Sequence, residues 1–291
     1  MNRVIFSLFP VFGLLISAFA GAAPMKPVWT VKEHIDAPES AYFDPGSRKI
    51  FVSNVSGSPG EKDGKGSIVT VTVSKGGKTS VKPLVSGLNA PKGLRAKKGV
   101  LYVTDINEVV SVEIKSGKIL GKTEVPGAVF LNDIAIDEDG KIYVSDTIAS
   151  KIFVINQGKS AVFAEGPEME SPNGLLLSGG KLIVAAWGLI SDPATFGAKV
   201  PGHLFGLDLK TKAKTLITKD PIGNLDGLEV AANGDFIVSD WVAGKVWRVT
   251  KDGASTLILD GFKNAADIGM SGSTLLVPDM GSSTVSAFYI K

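Results

Sequence analysis

The 291-residue sequence has no cysteine. That excludes a disulfide framework and a lipid-anchored cysteine, so stability must come from a packed core and from any bound metal. Histidine is scarce, with only His34 and His203 present. Charge of one sign is also missing: 31 basic side chains face 29 acidic ones, and no Lys/Arg run marks a nucleic-acid groove. What is abundant is apolar surface, at 44% of residues, and glycine, at 34. The first is enough for a large core, and the second fits many tight turns.

One apolar stretch stands apart. "MNRVIFSLFPVFGLLISAFAGAAP" has a basic start at Arg3, an apolar run over 4–20 and small residues suited to cleavage at Ala18-Phe19-Ala20 or Ala20-Gly21-Ala22. Residues 1–22 therefore read as a secretory signal peptide, and residues 23–291 as one mature domain with no membrane attachment. Export of a cysteine-free chain points to a bacterial periplasm or the medium.

Within the mature chain a sentence repeats. The units open "ESAYFDPGSRKIFVSN" at Glu39, "KGLRAKKGVLYVTD" at Lys92, "NDIAIDEDGKIYVSD" at Asn132, "NGLLLSGGKLIVAA" at Asn173, "DGLEVAANGDFIVSD" at Asp226 and "DIGMSGSTLLVPD" at Asp267. Successive starts lie 53, 40, 41, 53 and 41 residues apart. A period near 40 built from short β-branched runs and Gly/Asn/Asp turns is the signature of a propeller rather than of helical repeats. The third unit divides into strands A to D at 133–137, 141–146, 151–156 and 160–165. The fold expected is all-β: a six-bladed propeller with four antiparallel strands per blade. The sixth unit has only three strands, at 266–270, 274–279 and 284–290. The strand-like segment 28–35 is expected to supply the fourth and so close the ring.

In a propeller, strand A lines the axis. The polar residue that opens each unit should therefore sit at one mouth of the channel, which gives a ring of Glu39, Lys92, Asn132, Asn173, Asp226 and Asp267. The B–C loops reach the same end. The two longest, 55–66 and 187–202, read as walls or lids. Glu39, Asn132, Asn173 and Asp226 offer only oxygen, which favours a hard divalent cation: calcium first, then magnesium or manganese, with zinc as a further alternative. The competing account is that Asn and Asp before strands are turn formers. The Asp residues that end strand B (Asp105, Asp146, Asp240 and Asp279) read as structural acceptors of backbone N–H groups. Trp187 and Trp241 end B strands near the mouth, whereas Trp247 reads as packing between blades.

The motifs "APES" (37–40), "LND" (131–133), "SPNGL" (171–175) and "LDGL" (225–228) resemble those of the senescence-marker-protein, gluconolactonase and luciferin-regenerating-enzyme family, with paraoxonase as a more distant likeness. The resemblance covers about residues 30–291. It implies that Glu39, Asn173 and Asp226 bind a divalent metal, that Asn132 binds metal or substrate, and that Asp226 is a candidate general base or nucleophile. The implied function is hydrolysis of a lactone or related ester, a small-molecule substrate. Phe130 stands where sugar-lactone hydrolases of the family often carry Arg, so the substrate is expected to be less polar than a free aldonolactone, with Trp187 deepening an apolar wall and Lys92, the cation of the ring, left to meet a carbonyl or carboxylate of the substrate. Several hydrolytic relatives place a catalytic His near the channel, and neither His34 nor His203 falls in this ring. "APKGL" also resembles NHL-type propellers. Three readings of Lys92 stand open: it pairs with Glu39 or Asp267, it orients an anionic substrate, or it occupies the metal position, and the last gives the alternative expectation of a non-catalytic binding or scaffold propeller with a protein partner and a structural or absent metal.

Overall fold

The structure is a computed structural model that describes residues 25–290. The signal-peptide expectation for residues 1–22 lies outside the described residues. Six four-stranded antiparallel sheets surround one axis. Strand A is Pro38–Asp44, Pro91–Lys97, Leu131–Ile136, Pro172–Ser178, Leu225–Val230 and Gly269–Ser271 in blades 1 to 6. Blade 3 continues through Ile142–Asp146, Lys151–Asn156 and Lys159–Glu165, close to the expected division.

Each blade packs its faces on its neighbours, and the core lies between them. One cluster joins Phe51, Ile68 and Leu88 of blade 1 to Leu94, Leu101 and Val103 of blade 2. Fully burying each such side chain contributes about 1.5–3 kcal/mol. Burial also explains the patterns. Strand B of blade 1, Lys49–Asn54, is buried at every residue but the first, because a blade covers each of its faces. Strand D of blade 2, Ile119–Glu124, faces solvent on one side and alternates residue by residue. The A–B hairpins turn on residues such as Gly140 and Gly234, at φ 89° and 85°, where a side chain would be strained.

The ring closes as expected. Trp29–Val31 pairs antiparallel with Thr284–Tyr289 and forms the outer strand of blade 6. The strand is shorter than the 28–35 segment. Ile35 is nevertheless buried with Val31 in the core cluster that spans blades 6 and 1, while His34 lies beyond the strand in a turn at φ 57°. The inner strand of blade 6 is likewise short, at Gly269–Ser271 rather than 266–270. Its preceding residues bond across the seam instead: Ser40 and Asp267 form a parallel bridge, and the Asp267 amide donates to the Glu39 carbonyl.

Candidate functional site

In blades 1 to 5 the pairing of strands A and B slips at the same place, between Pro38 and Ser40, Pro91 and Leu94, Leu131 and Ile134, Pro172 and Leu175, and Leu225 and Leu228. Glu39, Lys92, Asn132, Asn173 and Asp226 each sit inside that irregularity. A bulge re-aims a side chain that regular pleating would turn into the blade face. All five line one cavity of about 420 Å³. The recurring polar residue thus sits in the same backbone distortion each time and reaches the same cavity.

The bulge frees an amide, and a hydroxyl captures it. Ser53, Ser145 and Ser239, next to last in strand B, accept from the amides of Ser40, Asp133 and Gly227 at 2.8–2.9 Å. Ser145 also donates to the Asn173 carbonyl and Ser239 to the Ala266 carbonyl, both at 2.7 Å, and Thr104 donates to that of Asn132. One hydroxyl therefore fixes the entry to strand A in two successive blades. The Asp that ends strand B holds the loop entering strand A of its own blade. Asp105 accepts from the amides of Asn89 and Ala90, Asp146 from Val129 and Phe130, and Asp279 from Lys263 and Asn264. Asp146 and Asp240 also accept from the following turn, at Ala149 and Ala243. These aspartates are structural, as the sequence suggested. The serines went unnoticed there, although the repeated Ser-Asp, Ser-Asn and Thr-Asp pairs carried the signal.

The ring differs from expectation in blade 6. Asp267 is one residue too deep and does not line the cavity. A Cβ at Gly227 would stand 2.6 Å from the Asp267 Cα, just as one at Gly93 would stand 2.6 Å from the Asp133 Cα. Asp267 is therefore the counterpart of Asp133, and Ala266 takes the ring position. Asp133 and Asp267 form a second layer with Glu229 around one guanidinium. Arg95 lies 3.8, 3.9 and 3.8 Å from Asp133, Asp267 and Glu229. Burial opposes the Arg95 charge, but the three carboxylates outweigh it and hold the guanidinium more firmly protonated than usual. Burial pushes Glu229 up to about 7 against the pull of Arg95. This deeper layer has its own cation.

Among the described residues, the upper layer has no cation facing it at ion-pair distance. Lys92 makes no ion pair with Glu39 or Asp267 within 4 Å. Its Nζ donates to the carbonyls of Pro59 and Ala90, both at 3.0 Å, and lies 4.2 Å from the centre of the Phe130 ring. Burial lowers its pKa to about 8, and Glu39 works in the other direction. Four buried oxygens at the cavity floor have no hydrogen-bond partner among the described residues: Glu39 Oε2, Asn132 Oδ1, Asn173 Oδ1 and Asp226 Oδ1. Burial and then the charge of Asp226 raise the Glu39 pKa well above the usual range; burial and then Asp133 do the same to Asp226. Unsatisfied buried acceptors are costly, about 1–3 kcal/mol each and more when charged. Among the described residues no group of three His, Cys, Asp or Glu side chains is placed to hold a metal. The donor set here is two carboxylates and two amide oxygens, a composition that fits a hard divalent cation.

Above the floor the walls are apolar. Phe130, Trp187, Phe196, Trp241, Val242 and Met280 line the cavity. Phe196 comes from the 187–202 loop, which folds a small hairpin of Ile190–Asp192 and Gly197–Ala198. Its ring meets Phe130 edge-on at 5.2 Å and Trp187 at 6.0 Å, and its carbonyl accepts the Trp187 indole N–H at 2.9 Å. Both long B–C loops contribute walls, the first through Val55 and Pro59. Trp247 packs away from the cavity, as expected. His203 is structural too, its ring Nδ1 2.8 Å from Glu170 Oε2. Asn224 was not foreseen: it lines the cavity and donates to the Trp187 carbonyl at 2.9 Å.

No family model matches the chain, and no curated protein sequence matches it significantly. Solved structures do. A chain in the crystal structure of a nidogen/laminin complex is 17% identical with a TM-score of 0.63, over 76% of this chain and 85% of that one. A catalytically inactive virginiamycin B lyase from Staphylococcus aureus, solved with quinupristin, is 13% identical with a TM-score of 0.60, over 90% and 98%. A selenomethionine form of that lyase is 14% identical with a TM-score of 0.57, over 90% and 88%. At these identities the likeness is one of fold, and it places the chain among the propellers.

Proposed function

We propose that this chain is an exported hydrolase of apolar lactones or esters that depends on a divalent cation, most readily calcium, held by Glu39, Asn132, Asn173 and Asp226. The observation that carries the reading is the set of four unpartnered oxygens, each presented by the same backbone bulge of its own blade. Turn chemistry alone gives no reason for four buried acceptors to converge unsatisfied. The motifs shared with the gluconolactonase group, and the leader-like residues 1–22, agree with it.

When bound, the cation supplies Lewis-acid polarisation of the substrate carbonyl. The residues of the chain do the rest. Asn132 and Asn173 contribute neutral oxygens, which keeps the floor at two negative charges. Asp226 takes the proton of the attacking water on its carboxylate. Phe130, Phe196, Trp187 and Trp241 exclude bulk water and receive the apolar part of the substrate. The test is hydrolysis of phenyl acetate, an alkyl-substituted γ-lactone and gluconolactone by the mature chain with added calcium. The two apolar substrates are expected to give the higher kcat/KM, Phe130→Arg to narrow the gap, and Asp226→Ala to abolish turnover. No turnover of any of them with calcium, magnesium, manganese or zinc would overturn the reading.

The second reading is a binding propeller with a protein partner. Lys92 favours it, being a cation beside the position proposed for the metal. Both uses of the fold occur among the similar structures, one a lyase and one part of a nidogen/laminin complex. Against it, the Lys92 ammonium is turned to two carbonyls and leaves the four oxygens unanswered.

A further inference from the structure

Lys92 is an unusual investment for a structural residue. It is 2% exposed, yet among the described residues no carboxylate lies within ion-pair distance. Burying an ammonium is costly unless its donors are used. Two of its three N–H groups go to Pro59 and Ala90, and the Phe130 face covers another side. One donor is left over, on a side chain that lines the cavity.

The chemistry of that donor says what it would take. A charged N–H on a cavity with aromatic walls is best answered by a charged acceptor, and a carboxylate supplies one while its hydrocarbon part meets the walls. The rim is apolar as well: the exposed side chains Val129, Leu189 and Val242 stand within two residues of Phe130, Trp187 and Trp241. A polyhydroxylated acid would lose its water to these walls without replacement bonds.

Resting on the proposed cation, we infer that the cavity binds an apolar monocarboxylate, the acid product of the reaction or a close analogue, with its carboxylate between Lys92 Nζ and the cation and its hydrocarbon part among Phe130, Phe196, Trp187 and Trp241. Lys92 is then a binding and positioning group for the acyl oxygens, distinct from the cation ligands. A charge-assisted hydrogen bond of this kind is roughly twice as strong as a neutral one.

The test is titration calorimetry with 4-phenylbutyrate, 4-phenylbutan-1-ol and gluconate, on the mature chain with calcium and again after EDTA. With calcium, phenylbutyrate should bind at least tenfold more tightly than the alcohol, and gluconate more weakly than phenylbutyrate. Lys92→Met should bring the acid down to the level of the alcohol while calcium binding persists, and Lys92→Arg should restore part of the preference. If calcium binds and acid and alcohol bind alike, the inference is overturned while the cation reading stands. If calcium does not bind but the Lys92-dependent preference for the acid persists, the cation reading fails and the carboxylate site remains. Should Lys92→Met not fold, the comparison of acid with alcohol on the wild type still decides.

Discussion

The Ser40 hydroxyl donates to Asp267 Oδ2 at 2.5 Å, across the seam where the last blade meets the first. The same seam carries the parallel bridge between these residues, and farther out the Trp29–Val31 strand, where Thr30 and Ser286 hydroxyls meet at 2.8 Å. The ring is therefore tied at the axis and at the rim by different parts of the chain.

Removing the outer tie should destabilise the whole domain. Deleting residues 28–35 exposes the edge of Thr284–Tyr289 and takes Val31 and Ile35 out of their cluster. Two buried aliphatic side chains and an unpaired edge amount to a loss of several kcal/mol, on the order of 3–6, by the usual value of such burial. Urea unfolding should show one cooperative transition at a lower midpoint. A midpoint equal to that of the full mature chain would refute this closure.

Arg95 should be among the least replaceable residues. Arg95→Met leaves Asp133, Asp267 and Glu229 buried around an apolar side chain. Breaking a buried charge cluster by removing one partner costs about 3–5 kcal/mol. The loss should be read in thermal unfolding at neutral pH and should shrink in acid, where the carboxylates are protonated.

Glu229 gives the domain a pH dependence of known sign. Its folded pKa, about 7, lies above the ordinary 4.5, chiefly because of burial. Its contribution to stability is thus fully present below about 4.5 and is lost as the pH rises through about 7. Relative to Glu229→Gln, the wild type should lose stability between pH 5 and pH 8, by an amount on the order of a few kcal/mol at about 1.4 kcal/mol per pKa unit. A difference between the two proteins that stays constant with pH would contradict this assignment.

Much of this was written in the sequence, and the part that was not has a physical reason. Blade number, strand order and the two long B–C loops were legible because inner and outer strands have different burial, and because turns need Gly, Asn and Asp. Glu39, Asn132, Asn173 and Asp226 were legible as a set because the same bulge recurs. Asp267 misled by one residue: "NDI" and "ADI" share their Asp-Ile, so Asp267 matches Asp133 and not Asn132. Arg95 left no repeating trace, since one guanidinium serves three blades at once. Phe196 reaches the cavity through a loop hairpin that no blade pattern encodes. The position of Lys92 was visible, but its turn toward the carbonyls of Pro59 and Ala90 depends on how the 55–66 loop folds.

Asp226→Asn should separate the cost of the site from its use. The change removes one buried, unpartnered negative charge and keeps the shape. Without metal the variant should melt several degrees above the wild type, because the buried charge is gone. With calcium at about 100 times the wild-type Kd the gap should close or reverse, since binding adds about 2.7 kcal/mol to the wild type and at most about 1.4 kcal/mol to a variant that binds at least tenfold more weakly. Equal responses of both proteins to calcium would remove Asp226 from the proposed ligand set.

The central claim is that the four oxygens form a cation site, and calcium titration of the EDTA-treated mature chain by calorimetry tests it most directly. The account predicts one calcium per chain with a Kd below about 1 mM, the weak end of protein calcium sites, and at least a tenfold weakening in Glu39→Gln and Asp226→Asn. No saturable binding at millimolar calcium, with none for magnesium or manganese either, would contradict it.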